Sequence, residues 1–540
     1  MTQLNLKDLF LAPQLDRHQV ASMLSPYGFK ETERADANLQ AMADDPMARE
    51  LLSDIVEDLL FCLSRSAEPD QALNYLERFT KAAVNKIRFL SYLKENPRAL
   101  ELLAKIFGGS PFMSEILIRD PHYLYWVSDP EILYKNRKKR DLMRDLSIAL
   151  KYLRTEEKKL DILRIFKRKE ILLIGIRDLL RISDVEGTLA SLSILAEVLI
   201  QKAYETCKLS MNREHKTPFR RKSSDRKIRA GFAVIGMGKL GGGELNFSSD
   251  VDLIYVCSSD REGQSRNRSK TGSASISKAE YFRHLAQKIT RALSDVTDEG
   301  YLYRADLRLR PEGRTGNITN SLGRCRQYYA LRGETWERIA MLKAWPVAGD
   351  RALGARFISM IRPFIFCRPF DGNAISEVRR IKERIDQKMS LRGLSRRNVK
   401  LGSGGIREIE FIVQSLQVSF GRRFPVIHKR NTLNALRALF KKLLLSEEEY
   451  SFLSAAYIFL RDVENKLQMV YDFQIHSFPS KEEELKACAL RMGYRETGFR
   501  GAAQKLLHDY HLHSGRVNKI FQDFFYSEGM PRFRKRILKR

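Results

Sequence analysis

The chain has 540 residues, and its 95 Lys and Arg residues outnumber its 66 Asp and Glu residues, which gives a formal net charge of +29. A single hydrophobic core stops growing well below this length, so we expect two or three domains. The longest apolar runs are interrupted by charged residues, which argues against a membrane-spanning helix. We also expect no signal peptide, because the first residues lack a basic segment followed by an apolar run.

The six cysteines stand singly along the chain, with no Cys-x-x-Cys pair. This pattern is typical of buried thiols in a reducing compartment, so we expect a cytoplasmic protein without a membrane partner. The basic excess has two interpretations. It reflects either a general Lys and Arg bias on solvated surfaces or anionic partners, such as nucleotides, nucleic acid or an acidic protein surface.

Residues 1–227 are poor in glycine and proline and carry the apolar spacing of amphipathic helices, as at 141–166. We expect a helical N-terminal region there. From residue 228 the pattern changes to short runs with the composition of β-strands, and these predict a small mixed sheet. The runs lie at 230–237, 250–256 and 301–310.

Between the second and third of these runs, Ser277 and Glu280 form a capping-box pattern that predicts a helix over residues 277–296. Further helices are expected after the third run, and the segment 228–425 is predicted to form one domain. Residues 426–540, with their strongest amphipathic pattern at 445–470, predict a C-terminal helical bundle. The expected fold class is therefore α+β, with the small sheet set among mainly helical N- and C-terminal domains.

The segment Gly236–Tyr255 joins a glycine-rich stretch to an Asp-Val-Asp sequence. Asp250 and Asp252 are two residues apart on a predicted strand, so their side chains point to the same side. Glycine-rich backbone before them leaves room for a phosphate group and offers N–H donors to it. Such carboxylates suit a pair of metal ions that clamp the oxygens around one phosphorus, although Asp-x-Asp before an apolar run is also common in solvated turns.

A third carboxylate, Asp306, lies in Gly300–Pro311, whose alternating apolar and polar residues predict a strand. On that strand Asp306 would share a face with Arg304, Arg308 and Arg310. This arrangement is either an ion-pair ladder or a metal ligand among guanidinium groups that match phosphate oxygens. Two such strands favour the second interpretation, in which Asp250, Asp252 and Asp306 are catalytic metal ligands.

Long runs of the chain resemble glutamine synthetase adenylyltransferase/deadenylyltransferase, a family of the DNA polymerase β nucleotidyltransferase superfamily. The runs that carry the resemblance are 234–255, 302–313, 328–350 and 400–414, and it extends upstream through 96–121 and 164–180. The resemblance implies a polymerase β-like nucleotidyltransferase domain over 228–425. It also implies Mg²⁺, two ions in this superfamily's mechanism, and glutamine synthetase as the partner.

Full-length members of that family carry two modules, one that removes AMP from a tyrosine of glutamine synthetase by phosphorolysis and one that adds AMP from ATP. This chain has one copy of each motif. The sequences of these motifs resemble the removing module more than the adding module, so deadenylylation is favoured. ATP-dependent adenylylation of glutamine synthetase or another protein stays open. Nucleic-acid nucleotidyl transfer and a non-catalytic module that binds glutamine synthetase or a PII signal protein are further alternatives, with nucleic acid disfavoured.

The candidate nucleotide- or phosphate-binding residues share small size, hydroxyl groups or positive charge, and each has a structural alternative. They are Gly238, Lys239, Gly241, Gly242, Ser248, Ser249, Arg308, Arg310 and Lys343. The superfamily pattern has Ser or Gly where this chain has Lys239. Four charged residues in the later motifs are expected to support the residues of the site. Glu337 and Arg338 are predicted to form a buried ion pair that orients their neighbours. Glu408 and Glu410 either support the site or carry charge on a helix surface, and the first is favoured.

Overall fold

The computed structural model describes residues 5–12, 15–215, 219–221, 227–258, 276–367, 372–496 and 501–526. Helices that precede the sheet are α1 (Asp8–Leu11), α2 (Arg17–Leu24), α3 (Thr32–Met42), α4 (Pro46–Ser64), α5 (Pro69–Ala82), α6 (Lys86–Glu95), α7 (Pro97–Gly109), α8 (Pro111–Arg119), α9 (Tyr123–Ser128), α10 (Pro130–Leu133), α11 (Lys139–Leu150), α12 (Glu156–Leu179) and α13 (Val185–Glu214). The later helices are α14 (Gly238–Gly242), α15 (Lys278–Ser294), α16 (Leu322–Leu331), α17 (Thr335–Met341), α18 (Arg351–Phe366), α19 (Gly372–Leu391), α20 (Ile406–Phe420), α21 (Thr432–Lys441), α22 (Glu447–Gln468), α23 (Glu482–Arg491) and α24 (Ala502–Phe525).

The strands lie between α13 and α18. They are β1 (Phe219–Arg221), β2 (Lys227–Arg229), β3 (Phe232–Gly236), β4 (Val251–Cys257), β5 (Ala305–Asp306), β6 (Thr319–Ser321) and β7 (Trp345–Gly349). The mainly helical content and the small mixed sheet confirm the predicted α+β class. No helix in the described ranges is long and apolar enough to cross a membrane.

The chain divides into two compact units, each assembled from separate segments. The first comprises 1–136, 168–188 and 462–510, and the second comprises 137–167, 189–461 and 511–540. The three domains predicted from the sequence, 1–227, 228–425 and 426–540, stay a prediction. The whole sheet belongs to the second unit.

The first unit is helical, and its interior includes buried polar groups that are paired. The Lys466 ammonium binds the Asp178 carboxylate, and the Thr188 hydroxyl donates to the same carboxylate at 3.1 Å. Burial of such charges is tolerated only when each has a partner of opposite charge or a hydrogen bond. At the start of α8, the Ser110 hydroxyl accepts a hydrogen bond from the backbone N–H of Met113, which satisfies one of the orphan donors of the helix.

In the second unit, five described strands form one mixed sheet in the order β5-β4-β3-β7, with β6 also beside β4. β3 is antiparallel to both β4 and β7, whereas β5 and β6 are parallel to β4. β3 and β4 are nearly continuous apolar runs, and every residue of β3 is buried. Strands of this kind are covered on both faces. Phe282 of α15 and Tyr204 of α13 both stack on Phe232 of β3.

The predicted helix after the second run is confirmed, since Ser277 and Glu280 form a capping box at the start of α15. The predicted strand Gly300–Pro311 is wrong beyond its centre, because only Ala305–Asp306 pairs with β4. The Asp306 carboxylate accepts the backbone N–H of Arg308 at 2.8 Å, and the N–H of Gly313 bonds the carbonyl of Arg310 at 2.8 Å. These local bonds turn the chain away from the sheet, so the predicted alternating face does not form.

A buried ion cluster joins three distant parts of the second unit. The Lys343 ammonium donates to the carboxylates of Glu244 at 2.9 Å and of Glu410 at 2.7 Å. The side chains of all three residues are less than a tenth exposed. Burial opposes ionisation of Lys343, but the two carboxylates raise its pKa above the ordinary value. Burial likewise opposes ionisation of Glu410, but Lys343 and Arg407 hold its pKa well below the usual range.

Replacement of Lys343 by Met should destabilise the second unit by about 3–5 kcal/mol, because it leaves two buried carboxylates without their cation. The Glu410 pKa is lower in the folded chain than in the unfolded chain, so its contribution to stability is present at neutral pH and is lost as the pH falls through the acid range. The destabilisation should therefore shrink as the pH falls below about 4.3, the ordinary glutamate pKa, because the unfolded chain takes up protons there before the folded chain does. Urea unfolding monitored by circular dichroism measures it.

The exposed Lys441→Met change serves as the matched control and should leave the unfolding curve within about 0.5 kcal/mol of the parent. A Lys343→Met variant as stable as this control at pH 7 would contradict the account of the cluster.

Candidate functional site

The parallel pairing of β4 and β5 brings two carboxylates together. Asp252 of β4 is the direct register partner of Asp306 of β5, and Val251 is the partner of Ala305. Neighbouring strands lie about 4.8 Å apart, so side chains in register on one face are adjacent. Asp250 precedes β4 by one residue and is two residues from Asp252, which fits the predicted common side. All three aspartates are partly exposed.

Gly238 is fitted closely against this carboxylate pair. Its φ of +52° is a conformation that L side chains rarely adopt, and a Cβ added there would overlap Oδ2 of Asp252. The backbone N–H of the next residue upstream, Met237, donates to the carbonyl of Asp252 at 2.8 Å. The start of α14 is therefore held to β4 by its backbone, and the carboxylate of Asp252 lies against a residue without a side chain.

The three negative charges act on one another. Burial, followed by the charge of Asp306, raises the pKa of Asp252 to about 6, and Asp250 adds to this effect. Lys400 and Arg308 oppose it. At Asp306 burial also acts against ionisation, but hydrogen bonds from the side chain and backbone of Arg308 lower the pKa below its ordinary value. A cation bound among these groups would relieve their mutual repulsion.

Arginines occupy the outer oxygens of two of these aspartates. Arg304 donates from Nε to Oδ1 of Asp250 at 2.7 Å, and its Nη2 donates to the carbonyl of Ser248 at 2.9 Å. Arg308 donates from Nε to Oδ2 of Asp306 at 2.7 Å. Within the described ranges no group of three His, Cys, Asp or Glu side chains is arranged ready to surround a metal ion.

The chemistry of the donors nevertheless fits a hard divalent cation. Carboxylate oxygens are the ligands that Mg²⁺ prefers, and Asp252 shares its neighbourhood with Asp306 and Asp250 strongly enough for their charges to alter its protonation. A Cβ at Gly238 would overlap the Asp252 carboxylate, so a residue with a side chain does not fit at that position. We therefore take Asp250, Asp252 and Asp306 as the residues that could hold a metal.

The remaining residues of the glycine-rich segment serve the local fold. A Cβ at Gly241 would overlap the carbonyl oxygen of Lys343, and one at Gly242 would approach the Glu244 carboxylate at 2.9 Å. Lys239 donates from Nζ to Oδ1 of Asn246 at 2.7 Å. This stretch forms the short helix α14, which ends where Gly243 adopts a φ of +72°.

The two serines before Asp250 take part in the turn that leads into β4. The hydroxyl of Ser249 accepts the backbone N–H of Asn246 at 3.2 Å, and the hydroxyl of Ser248 accepts Nη2 of Arg304 at 3.2 Å. Ser248 is buried, whereas Ser249 is partly exposed. Both lie next to the aspartates along the chain, and the structure shows them bonded to protein atoms.

Two basic residues predicted to meet phosphate are engaged elsewhere in this structure. Arg310 donates to the carbonyls of Leu307, Arg314 and Gly316 and so closes the turn after β5. Lys343 is bound in the buried ion cluster. Arg308, in contrast, lies at the carboxylates and is largely exposed.

The four glutamate and arginine residues that are predicted to support the site are all buried. Glu337 accepts the Tyr328 hydroxyl at 3.0 Å and closes the capping box of α17, and burial raises its pKa. Arg338 donates to the carbonyl of Ile365. Glu408 binds Lys382 at 2.8 Å, and burial raises its pKa. Glu410 belongs to the buried ion cluster.

Sequence reasoning missed three residues that shape the site. Glu244 was counted only as part of the glycine-rich run, although a charged residue within an apolar, glycine-rich segment indicates a buried partner. Lys400 begins the 400–414 motif and acts electrostatically on Asp252. Arg304 was placed on the face of Asp306 but binds Asp250 instead, a pairing that depends on a strand register that the sequence does not give.

Comparison with known proteins gives two family matches. Residues 100–360 match the family model of glutamate-ammonia ligase adenylyltransferase, and residues 377–525 match that of GlnD PII-uridylyltransferase.

Several curated relatives are named bifunctional glutamine synthetase adenylyltransferase/adenylyl-removing enzyme. The one from Nitrosococcus oceani is 34% identical over 429 residues, which cover 79% of this chain and 42% of the relative. Those from Xanthomonas campestris pv. campestris and Vibrio parahaemolyticus are 40% identical over 318 residues and 34% identical over 450 residues. They cover 59% and 82% of this chain, and 33% and 45% of the relatives.

The chain thus spans less than half the length of these curated relatives. The glutamate-ammonia ligase adenylyltransferase match includes α14, β4 and β5, which carry Gly238 and the three aspartates. Over residues 100–360, the chain is similar to the glutamate-ammonia ligase adenylyltransferase family.

Proposed function

We propose that the chain is a metal-dependent nucleotidyltransferase that acts on glutamine synthetase, with removal of AMP from an adenylylated tyrosine as the favoured direction. The observation that supports this most is the register of β4 and β5, which sets Asp252 beside Asp306 next to a glycine. The order of strand, short helix and carboxylate-bearing strand also supports a polymerase β-like nucleotidyltransferase fold for this domain. The substrate is inferred from the names of the relatives.

In this proposal the metal ligands are Asp250, Asp252 and Asp306, and Mg²⁺ is the metal, with two ions in the site. When bound, Mg²⁺ would neutralise charge on the phosphorus oxygens and on the leaving oxygen. Residues of the chain itself would position the phosphorus oxygens and the leaving oxygen. Gly238, without a side chain, lets the backbone pass close to Asp252, and Arg304 bridges the carboxylate of Asp250 and the carbonyl of Ser248.

The positive charges around the carboxylates have a second role in the proposed reaction. An oxygen of hydrogen phosphate attacks the phosphorus of the adenylyl group, the bond from that phosphorus to the tyrosine oxygen breaks, and the proton of the hydrogen phosphate passes to the tyrosine oxygen. The products are ADP and unmodified tyrosine. Negative charge spreads over the phosphoryl oxygens during this exchange, and the exposed guanidinium of Arg308 and the ammonium of Lys400 are placed to offset it.

The reverse type of reaction, transfer of AMP from ATP to the tyrosine, would use the same carboxylates. The match of residues 377–525 to the PII-uridylyltransferase model favours a further proposal, that a PII signal protein regulates this chain. Nothing comparable favours a nucleic-acid substrate, for which the basic net charge is the main argument.

Incubation with adenylylated glutamine synthetase, Mg²⁺ and phosphate should release ADP, whereas ATP-dependent labelling of the unmodified enzyme would indicate the opposite direction. Asp252→Asn should lower either activity at least about 100-fold, because it removes a carboxylate from the group that stabilises the transition state. The exposed Asp58→Asn change is the matched control and should retain full activity. Equal activity of Asp252→Asn and the control would refute the assignment of the site.

Gly238→Ala should lose activity while the chain stays folded, because the added methyl group overlaps Oδ2 of Asp252 at a backbone φ of +52°. We expect a loss of 10-fold or more, since displacement of a reacting group by about 1 Å is sufficient for a large effect on rate. Initial rates and the thermal unfolding midpoint measure the two quantities separately.

The control is Gly515→Ala in α24, where a Cβ meets no atom within 4 Å. That change should leave both quantities near those of the parent. Full activity of Gly238→Ala would show that the close approach of this glycine to Asp252 has no part in the reaction.

A further inference from the structure

A second concave site lies in the unit that holds the sheet, at the C-terminal end of α14. It is a cavity of about 540 Å³, and its lining includes Gly242, Gly243 and Trp345. This volume is within the range of small-molecule sites. Asp252 lies against Gly238, at the other end of α14, and none of the three aspartates lines the cavity.

Most of the described lining is apolar. Ile194 of α13 and Ile358, Ile361 and Ile365 of α18 contribute aliphatic side chains. Trp345, the first residue of β7, is 41% exposed and lines the same cavity as these aliphatic side chains. A partly exposed indole in a mainly apolar cavity offers a flat surface to a ligand that is also flat and apolar.

The charged part of the lining is positive. Among the described residues that line the cavity, Arg362, Lys429 and Arg430 are basic, and Glu197 is the acidic one. Glu197 is already paired with Lys139, whose Nζ lies 2.5 Å from Oε2. The cavity therefore presents an excess of positive charge to a ligand, which favours an anion.

Arg430 is the best-placed of these cations. Its guanidinium lies 4.4 Å from the centre of the Trp345 ring, and its Nη1 donates to the carbonyl of Gly241 at 2.7 Å. These two contacts fix the orientation of the planar group. An arginine held in this way and partly removed from water binds a carboxylate more strongly than a mobile surface arginine does.

We propose that this cavity binds a small organic carboxylate with a flat apolar body, whose carboxylate is bound by Arg430 and whose body packs on Trp345 and the isoleucines of α18. The site is separate from the three aspartates but adjoins the same short helix, since Arg430 bonds Gly241 and Gly238 begins that helix. This proposal does not rest on the proposed enzymatic function, and its test uses no substrate of that reaction.

The chain has three tryptophans, so a Trp126→Phe/Trp336→Phe double variant leaves Trp345 as the sole indole reporter. Titration of this full-length variant with 3-phenylpropanoate, up to about 10 mM, should produce a saturable change in Trp345 emission, in the affinity range open to so small a ligand. The uncharged analogue 3-phenylpropan-1-ol, at the same concentrations, should produce at least tenfold weaker binding. Propanoate, which lacks the apolar body, should also bind at least tenfold more weakly.

In the same reporter background, Arg430→Gln should weaken binding of 3-phenylpropanoate at least tenfold, whereas Arg380→Gln, an exposed arginine of α19 outside the lining, should not change it. Ala190→Phe provides an independent variant, because Ala190 lines the cavity and is exposed, so a larger side chain can fill the space without entering the core. It should also abolish binding, and it decides the matter if Arg430→Gln does not fold.

No saturable emission change with 3-phenylpropanoate would overturn the proposal. Equal binding of the alcohol would overturn the assignment to carboxylates, and unchanged binding in folded Ala190→Phe would place the ligand outside this cavity.

Discussion

The buried ammonium of Lys343 is the interaction on which the arrangement of the second unit depends. It lies between the carboxylates of Glu244, just after α14, and Glu410, in α20. Glu244 also accepts the backbone N–H of Thr432 at the start of α21. Charges removed from water in this way are stable only when every partner is present, so the cluster specifies how three distant segments meet. The glycine-rich helix that approaches Asp252 is connected to this cluster by only a few residues.

The three aspartates differ from the buried cluster in their exposure to solvent. They are partly exposed, lie close enough to raise the pKa of Asp252, and are held by arginines that reach them from the chain around β5. We propose that a divalent cation bound at this site would replace one of these arginine contacts. The buried cluster connects distant parts of the backbone, whereas the aspartates stay partly exposed to solvent.

Local sequence patterns predicted the elements whose stability is local. The capping box at Ser277 and the apolar run of β4 both form as expected. The predicted strand at 300–311 is longer than the observed β5. The Asp306 carboxylate accepts the backbone N–H of Arg308, which is then not available to the sheet, and β5 ends after two residues.

The contacts of Lys343 and Arg304 could not be predicted from the sequence for a different reason. Their partners lie 99 and 54 residues away in sequence, and one sequence by itself contains no signal for contacts at that range.

We propose that Asp250, Asp252 and Asp306 hold divalent cations, and a crystal soaked in Mn²⁺ would show whether they do. We predict anomalous scattering from manganese between these carboxylates, with Arg304 or Arg308 displaced from its aspartate. A well-ordered crystal with these aspartates still bound to arginine and no manganese beside them would contradict the claim.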